Sequence, residues 1–333
     1  MGEAAPPPPA GELSRLLDAG APVDWQDQDG NSALLVAAEA GHMRTAEALL
    51  DRGANVECSD IFGFTPLLAA ASHGHLDLAR MLLDHGADAE ARDEDRSTPL
   101  LQAASNGHTA VVRMLLDYGA DLEATNADND TALHRAALAG CLETSALLLD
   151  RGALVEARGC GGSTALIAAA THGPAELVRL LLDSGASLEA TSTTGITALL
   201  GATVTSRLDN VVLLLDRGAN IEAKGYAGRT ALVTAAAKGD VETARLLLDR
   251  GADMEAIDCN GNTALIVSPS QRSYGVLRLL LSRGANLEAT DNENRGLLER
   301  WQGPDREEWA QELARLARWH RRCRLVLWGA SRA

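Results

Sequence analysis

The apolar and polar positions of this chain repeat in a cycle of 33 residues, whose helical part is seen from Asp130 to Ala153. Turn residues come first, followed by a short apolar block from Ala132 to Ala139, then Gly140. A second block from Cys141 to Asp150 ends at Gly152-Ala153. The first position of the cycle is Ser32, then Thr65, Thr98, Thr131, Thr164, Thr197, Thr230 and Thr263. The closing glycine keeps the same beat from Gly20 through Gly152 to Gly284. This pattern predicts two short helices per cycle with polar, turn-rich connections.

Each recurring residue has a local reason. A threonine hydroxyl can accept one of the unpaired N–H groups at a helix start, and Pro66 and Pro99 stand at the first helical position, where no N–H is needed. Paired alanines, such as Ala69-Ala70 and Ala136-Ala137, let neighbouring helices approach closely. In the second helix Leu142, Ala146 and Leu149 sit at helical spacing and predict its inner stripe. Gly152 stops that helix, because a residue past a helix end often takes a left-handed backbone. Helices of about nine residues do not persist alone in water, so each cycle needs its neighbours. The cycle therefore predicts one elongated array with its core spread along the stack.

The run Thr131-Ala132-Leu133-His134-Arg135-Ala136 resembles the ankyrin signature Thr-Pro-Leu-His-x-Ala. The resemblance spans about residues 11–295, as eight full units and an N-terminal half. It implies a mainly α solenoid of paired antiparallel helices with β-hairpin-like fingers, and partner binding on the concave face of finger tips and first helices. Departures accompany it. The signature histidine survives only as His134, the other units carrying Leu, Ile or Val, and Pro269 falls within the eighth unit's first helix, which should be shortened or distorted.

The expected domains are a disordered Pro-rich tail (1–10), a capping half-repeat (11–31), the repeats (32–295), and a degenerate unit with a basic, Trp-rich helical segment (296–333). Four of the five tryptophans lie in that last segment, and its eight arginines against four acids from 300 onward give +4. Arg315, Arg318 and Arg321 accompany an apolar face that suits a cap, a calmodulin target or a membrane-surface helix.

Composition narrows the chemistry. The net charge of −16 argues against nucleic acid, whose phosphates need clustered cations, and favours a neutral or basic protein partner. Aromatic residues are only 3%, so the core must be Ala and Leu. The five cysteines, Cys58, Cys141, Cys160, Cys259 and Cys323, contain no C-x-x-C pair and suit a reducing cytoplasmic or nuclear setting. Neither a signal peptide nor a membrane-spanning run is apparent.

Three patterns invite a chemical reading. Glutamates at 57, 90, 123, 156, 189, 222, 255 and 288 form a ladder, expected to be solvated or paired with arginine. His42, His75 and His108 also recur, but rungs about 9 Å apart cannot share a zinc ion held at about 2 Å, so loop capping is expected. Cys141 with His134 lacks an orienting third group, and Cys141 stands where other units have His. No catalytic residue, metal site or cofactor is assigned, and a non-enzyme is expected.

The tip Ile61-Phe62-Gly63-Phe64 holds both phenylalanines of the chain, whereas most tips are polar. Phe62 and Phe64 are candidate anchors, with Asp95, Gln102, Asp128 and Arg135 as a polar rim and Tyr226 as a second site. Phe64 alternatively folds over the next finger. The expected function is monomeric protein recognition through the concave face. The alternative is an adaptor whose C-terminal helix reaches a ubiquitin ligase, calmodulin or membrane.

Overall fold

The computed structural model describes residues 18–268 and 274–300, together with 15, 311 and 315. The Pro-rich tail, most of the half-repeat helix, Pro269 and nearly all of the C-terminal segment fall outside them. The backbone divides into two units, the first running to Ala186 and the second starting at Ser187.

In the first unit the helices alternate as α1 (Ala33–Glu39), α2 (Met43–Leu50), α3 (Pro66–His73), α4 (Leu76–Asp84), α5 (Pro99–Ser105), α6 (Thr109–Asp117), α7 (Ala132–Leu138), α8 (Leu142–Asp150), α9 (Ala165–His172) and α10 (Ala175–Asp183). The second unit continues with α11 (Ala198–Val204), α12 (Leu208–Asp216), α13 (Ala231–Lys238), α14 (Val241–Asp249), α15 (Ala264–Val267) and α16 (Tyr274–Ser282). Within each unit the first helix of a pair packs on its own second helix and on the first helices of its neighbours. The shortest, α15, ends after four residues, in the unit whose sequence carries Pro269.

The predicted caps are in place. Ser32 and the threonines at 65, 98, 164, 197, 230 and 263 each accept the N–H three residues on. Thr131 instead shares a capping box with His134, whose Nδ1 accepts the Thr131 N–H at 3.3 Å. Leucines such as Leu34, Leu67, Leu100, Leu133 and Leu166 are fully buried beside the alanine pairs, each stabilising the stack by about 1.5–3 kcal/mol.

The inner stripe of α8 differs from the expected one. Thr144, Ser145, Leu147 and Leu148 are buried, while Leu142 is exposed. Side chains on a helix lean toward its N-terminus, so the first residue overhangs the end, and the packed face begins two residues later.

The recurrent histidines link neighbours. Nε2 of His75 donates to the Glu39 carbonyl at 3.0 Å, and Nε2 of His108 to the Ser72 carbonyl at 2.9 Å. The His108 ring lies over Gly74, where a Cβ would come within 2.5 Å of it. On the second helices Arg52–Asp18 and Arg151–Asp117 form exposed pairs at 3.0 Å, and Tyr118 Oη donates to Asp84 at 2.6 Å. Exposed pairs of this kind contribute little each.

Candidate recognition surface on the fingers

Every finger closes with the same hydrogen bond: the N–H of its first residue donates to the carbonyl four residues on, as in Asp27 to Asn31, Asp60 to Phe64 and Asn126 to Asp130. In the fingers that do not begin with Gly159 or Gly225, a short side chain at that first residue secures the turn. Asp60 Oδ1 accepts the N–H groups of Phe62 at 2.9 Å and Phe64 at 2.8 Å. Asn126 and Asp258 do the same in their fingers, and Ser192 uses its hydroxyl. These are side-chain turns of the kind Asp, Asn and Ser favour.

Successive tips in the first unit are tied to one another. Ile61 N–H donates to the Asp29 carbonyl at 3.0 Å, Glu94 N–H to Phe62 at 2.8 Å, and Ala127 N–H to Asp95 at 2.8 Å. Asp29, Phe62, Asp95 and Asp128 thus occupy one position on four consecutive rungs.

On this scaffold Ile61 is 63% and Phe62 57% exposed, although both backbones are fixed. Phe64 is half-buried. The side chains of Asp29, Glu94, Asp95 and Asp128 are exposed and make no hydrogen bond or ion pair among the described residues. Gln102 and Arg135 occupy matching positions on α5 and α7, but both are engaged. Gln102 Nε2 donates to Asp93 Oδ2 at 2.8 Å, bracing its own finger, and Arg135 Nη2 donates to Ser105 Oγ at 3.0 Å. Tyr226 lies in the second unit, 72% exposed, at the start of a 3₁₀ turn.

The glutamate ladder has a role that its periodicity did not reveal. One oxygen of Glu57 accepts the N–H of Asp88 at 2.7 Å, Glu90 that of Asp121, and Glu123 that of Leu154, each 31 residues on. Glu189, Glu222 and Glu255 repeat this in the second unit. These carboxylates bond to the backbone of the next repeat, where solvation or arginine pairing was expected. Charge-assisted bonds of this type are stronger than neutral ones.

His134 is 2% exposed. Burial, the main influence, pushes its pKa below the ordinary histidine value despite the nearby Asp130 carboxylate. As the neutral tautomer it donates from Nε2 to the Ser163 carbonyl at 3.1 Å. Burial pushes the Cys141 thiol up, away from the reactive thiolate. At Asp27 the Asn31 side chain is the first of several hydrogen bonds that lower the carboxyl pKa. Among the described residues no three His, Cys, Asp or Glu side chains converge on a point that could hold a metal ion.

Short capped helix pairs, hydrogen-bonded fingers and a ladder of glutamate–backbone bonds between neighbouring repeats define a helical repeat scaffold. The profile described as Ankyrin repeats (3 copies) matches residues 10–93, 86–159, 153–225 and 222–291, and the chain belongs to the ankyrin-repeat family. It is similar to the crystal structure of the human ASB11 ankyrin repeat domain, at 30% identity and a TM-score of 0.58, over 62% of this chain and 92% of that one. No curated protein sequence matches the chain. Because 565 solved chains match, the frame alone does not select a partner. Ankyrin repeats are generally protein-interaction modules without catalytic activity of their own. Among the described residues no helix is long and apolar enough to cross a membrane.

Proposed function

We propose that this chain is a monomeric protein-binding module that works in the cytoplasm or nucleus. Its partner docks across the fingers of the first unit and the first helices behind them. The observation that carries this reading is the phenyl ring of Phe62, more than half exposed on a backbone fixed by Asp60 below and by Glu94 beside it. A preorganised aromatic loses little freedom on binding, and burying it contributes about 1.5–3 kcal/mol. Asp95 and Asp128 stand on the following rungs, and Gln102 and Arg135 on the helices behind complete the rim.

Affinity capture with the full chain and with Phe62→Ser tests the reading, with circular dichroism verifying the fold. A defined partner lost only by the variant supports it; a partner set unchanged by Phe62→Ser removes this face from consideration. The adaptor reading rests on the basic, Trp-rich composition from residue 300 onward. It requires that shortening the chain at Arg295 sheds one set of partners and keeps the other.

A further inference from the structure

We propose that the partner segment taken by these fingers is an extended basic peptide with a single apolar anchor flanked on both sides by arginine or lysine. This rests on the docking face argued above and adds the chemistry of its occupant.

Four rungs carry the argument. Phe62 is preceded on its row by Asp29 and followed by Asp95 and Asp128, and backbone hydrogen bonds hold all four tips in register. The three carboxylates are exposed and unpaired among the described residues, as is Glu94 beside Ile61. An apolar pair flanked by free negative charge on both sides disfavours an acidic or wholly apolar partner. The first would meet repulsion, and the second would strip water from carboxylates it could not pair. A segment with cations on either side of a hydrophobic side chain meets both demands.

The scaffold also sets a spacing. Each finger places two chain segments side by side, so successive rungs lie about two strand spacings, or about 10 Å, apart. An extended peptide advances about 3.3 Å per residue, so it covers one rung in about three residues. Along the row the recognised pattern is therefore a cation, an apolar anchor about three residues on, then further cations about three and six residues beyond, in either chain direction. Arginine suits these sites better than lysine because its planar fork can bind a carboxylate through two hydrogen bonds.

The test is selection of a displayed random-peptide library on the full-length protein, with every binder re-measured on Phe62→Ser and on the charge-reversed Asp95→Lys/Asp128→Lys protein. The expected binders carry Arg or Lys at about three-residue spacing from an apolar anchor. They weaken by about tenfold or more on either variant, and also when salt is raised from 50 to 500 mM. Binders that are lost on Phe62→Ser but are neutral or acidic, or that show no such spacing, overturn this inference and leave the docking face standing. Binders indifferent to Phe62→Ser, or no binders at all, overturn both. Both variants change exposed side chains, and circular dichroism of each verifies its fold.

Discussion

Two exposed finger aromatics, Phe62 and Tyr226, are presented by different devices. The Phe62 finger is closed by a carboxylate, Asp60, which accepts two backbone N–H groups. The Tyr226 finger has Gly225 at the corresponding place and tightens into a 3₁₀ turn, with Ala227 at a φ of +56°. A neighbour crowds the glycine: a Cβ at 225 would lie 2.8 Å from Cδ1 of the buried Leu200. Gly159 in the first unit repeats the situation, with His134 Cδ2 at 2.9 Å and Asp130 Oδ1 at 2.3 Å from its would-be Cβ. Leu200 and His134 hold the same place in their repeats. Leu35, Leu68 and Leu101 hold that place too, yet the fingers after them open on Asp60, Asp93 and Asn126, so the close approach is a feature of the two glycine fingers themselves. Surroundings differ too: the Phe62 rung is bordered by free carboxylates, whereas Lys224 stands two residues before Tyr226, its Nζ donating to the Ile257 carbonyl.

Exchanging the two devices breaks the comparison most sharply. Gly225→Asp gives that finger the residue the other uses, yet overpacking against Leu200 should destabilise the protein by about 1–3 kcal/mol. The reverse change, Asp60→Gly, deprives Phe62 and Phe64 of their common acceptor and should cost about 1–2 kcal/mol. Urea unfolding followed by circular dichroism measures both. Were the fingers interchangeable loops, neither midpoint would move.

Much of this frame was readable in the sequence because it is local. The capping threonines act three residues away and the glycines act within a turn, so the 33-residue period exposes them. The ladder was visible as a row of glutamates but not as a bond, because each acceptor meets its donor 31 residues on and only after stacking. The exposed Phe62 was anticipated from an apolar residue on a polar tip. The bonds that Gln102 and Arg135 make were not legible, because spacing alone does not show that Asp93 or Ser105 comes within reach. The glycine fingers were missed, although a signal was present: Gly159 and Gly225 interrupt a series of Asp, Asn and Ser in the same register.

The ladder provides a milder comparison between the connecting frame and the exposed tips. Glu90→Ala removes the acceptor for the Asp121 N–H and should lower stability by about 0.5–1.5 kcal/mol, with Glu90→Gln retaining part of it. Asp95→Ala, on an exposed tip, should stay within about 0.5 kcal/mol of the parent. Equal effects at positions 90 and 95 would reduce the ladder to surface charge.

The smallest expected effect sharpens the comparison of His134 with Leu200. Burial holds His134 below its ordinary pKa, so an unfolded chain takes up a proton there near pH 6.5 while the folded one does not. The stability from the neutral ring is complete above that pH and is lost as pH falls from about 6.5 toward the depressed folded value. The second unit shows that leucine fits beside a glycine finger, so His134→Leu should fold, losing the bond to Ser163 but also this sensitivity to acid. Melting temperatures of both proteins from pH 8 to 5 should therefore converge or cross as pH falls. Parallel curves would mean that the ring titrates alike in both states, and that its burial does no more than fill the place leucine takes elsewhere.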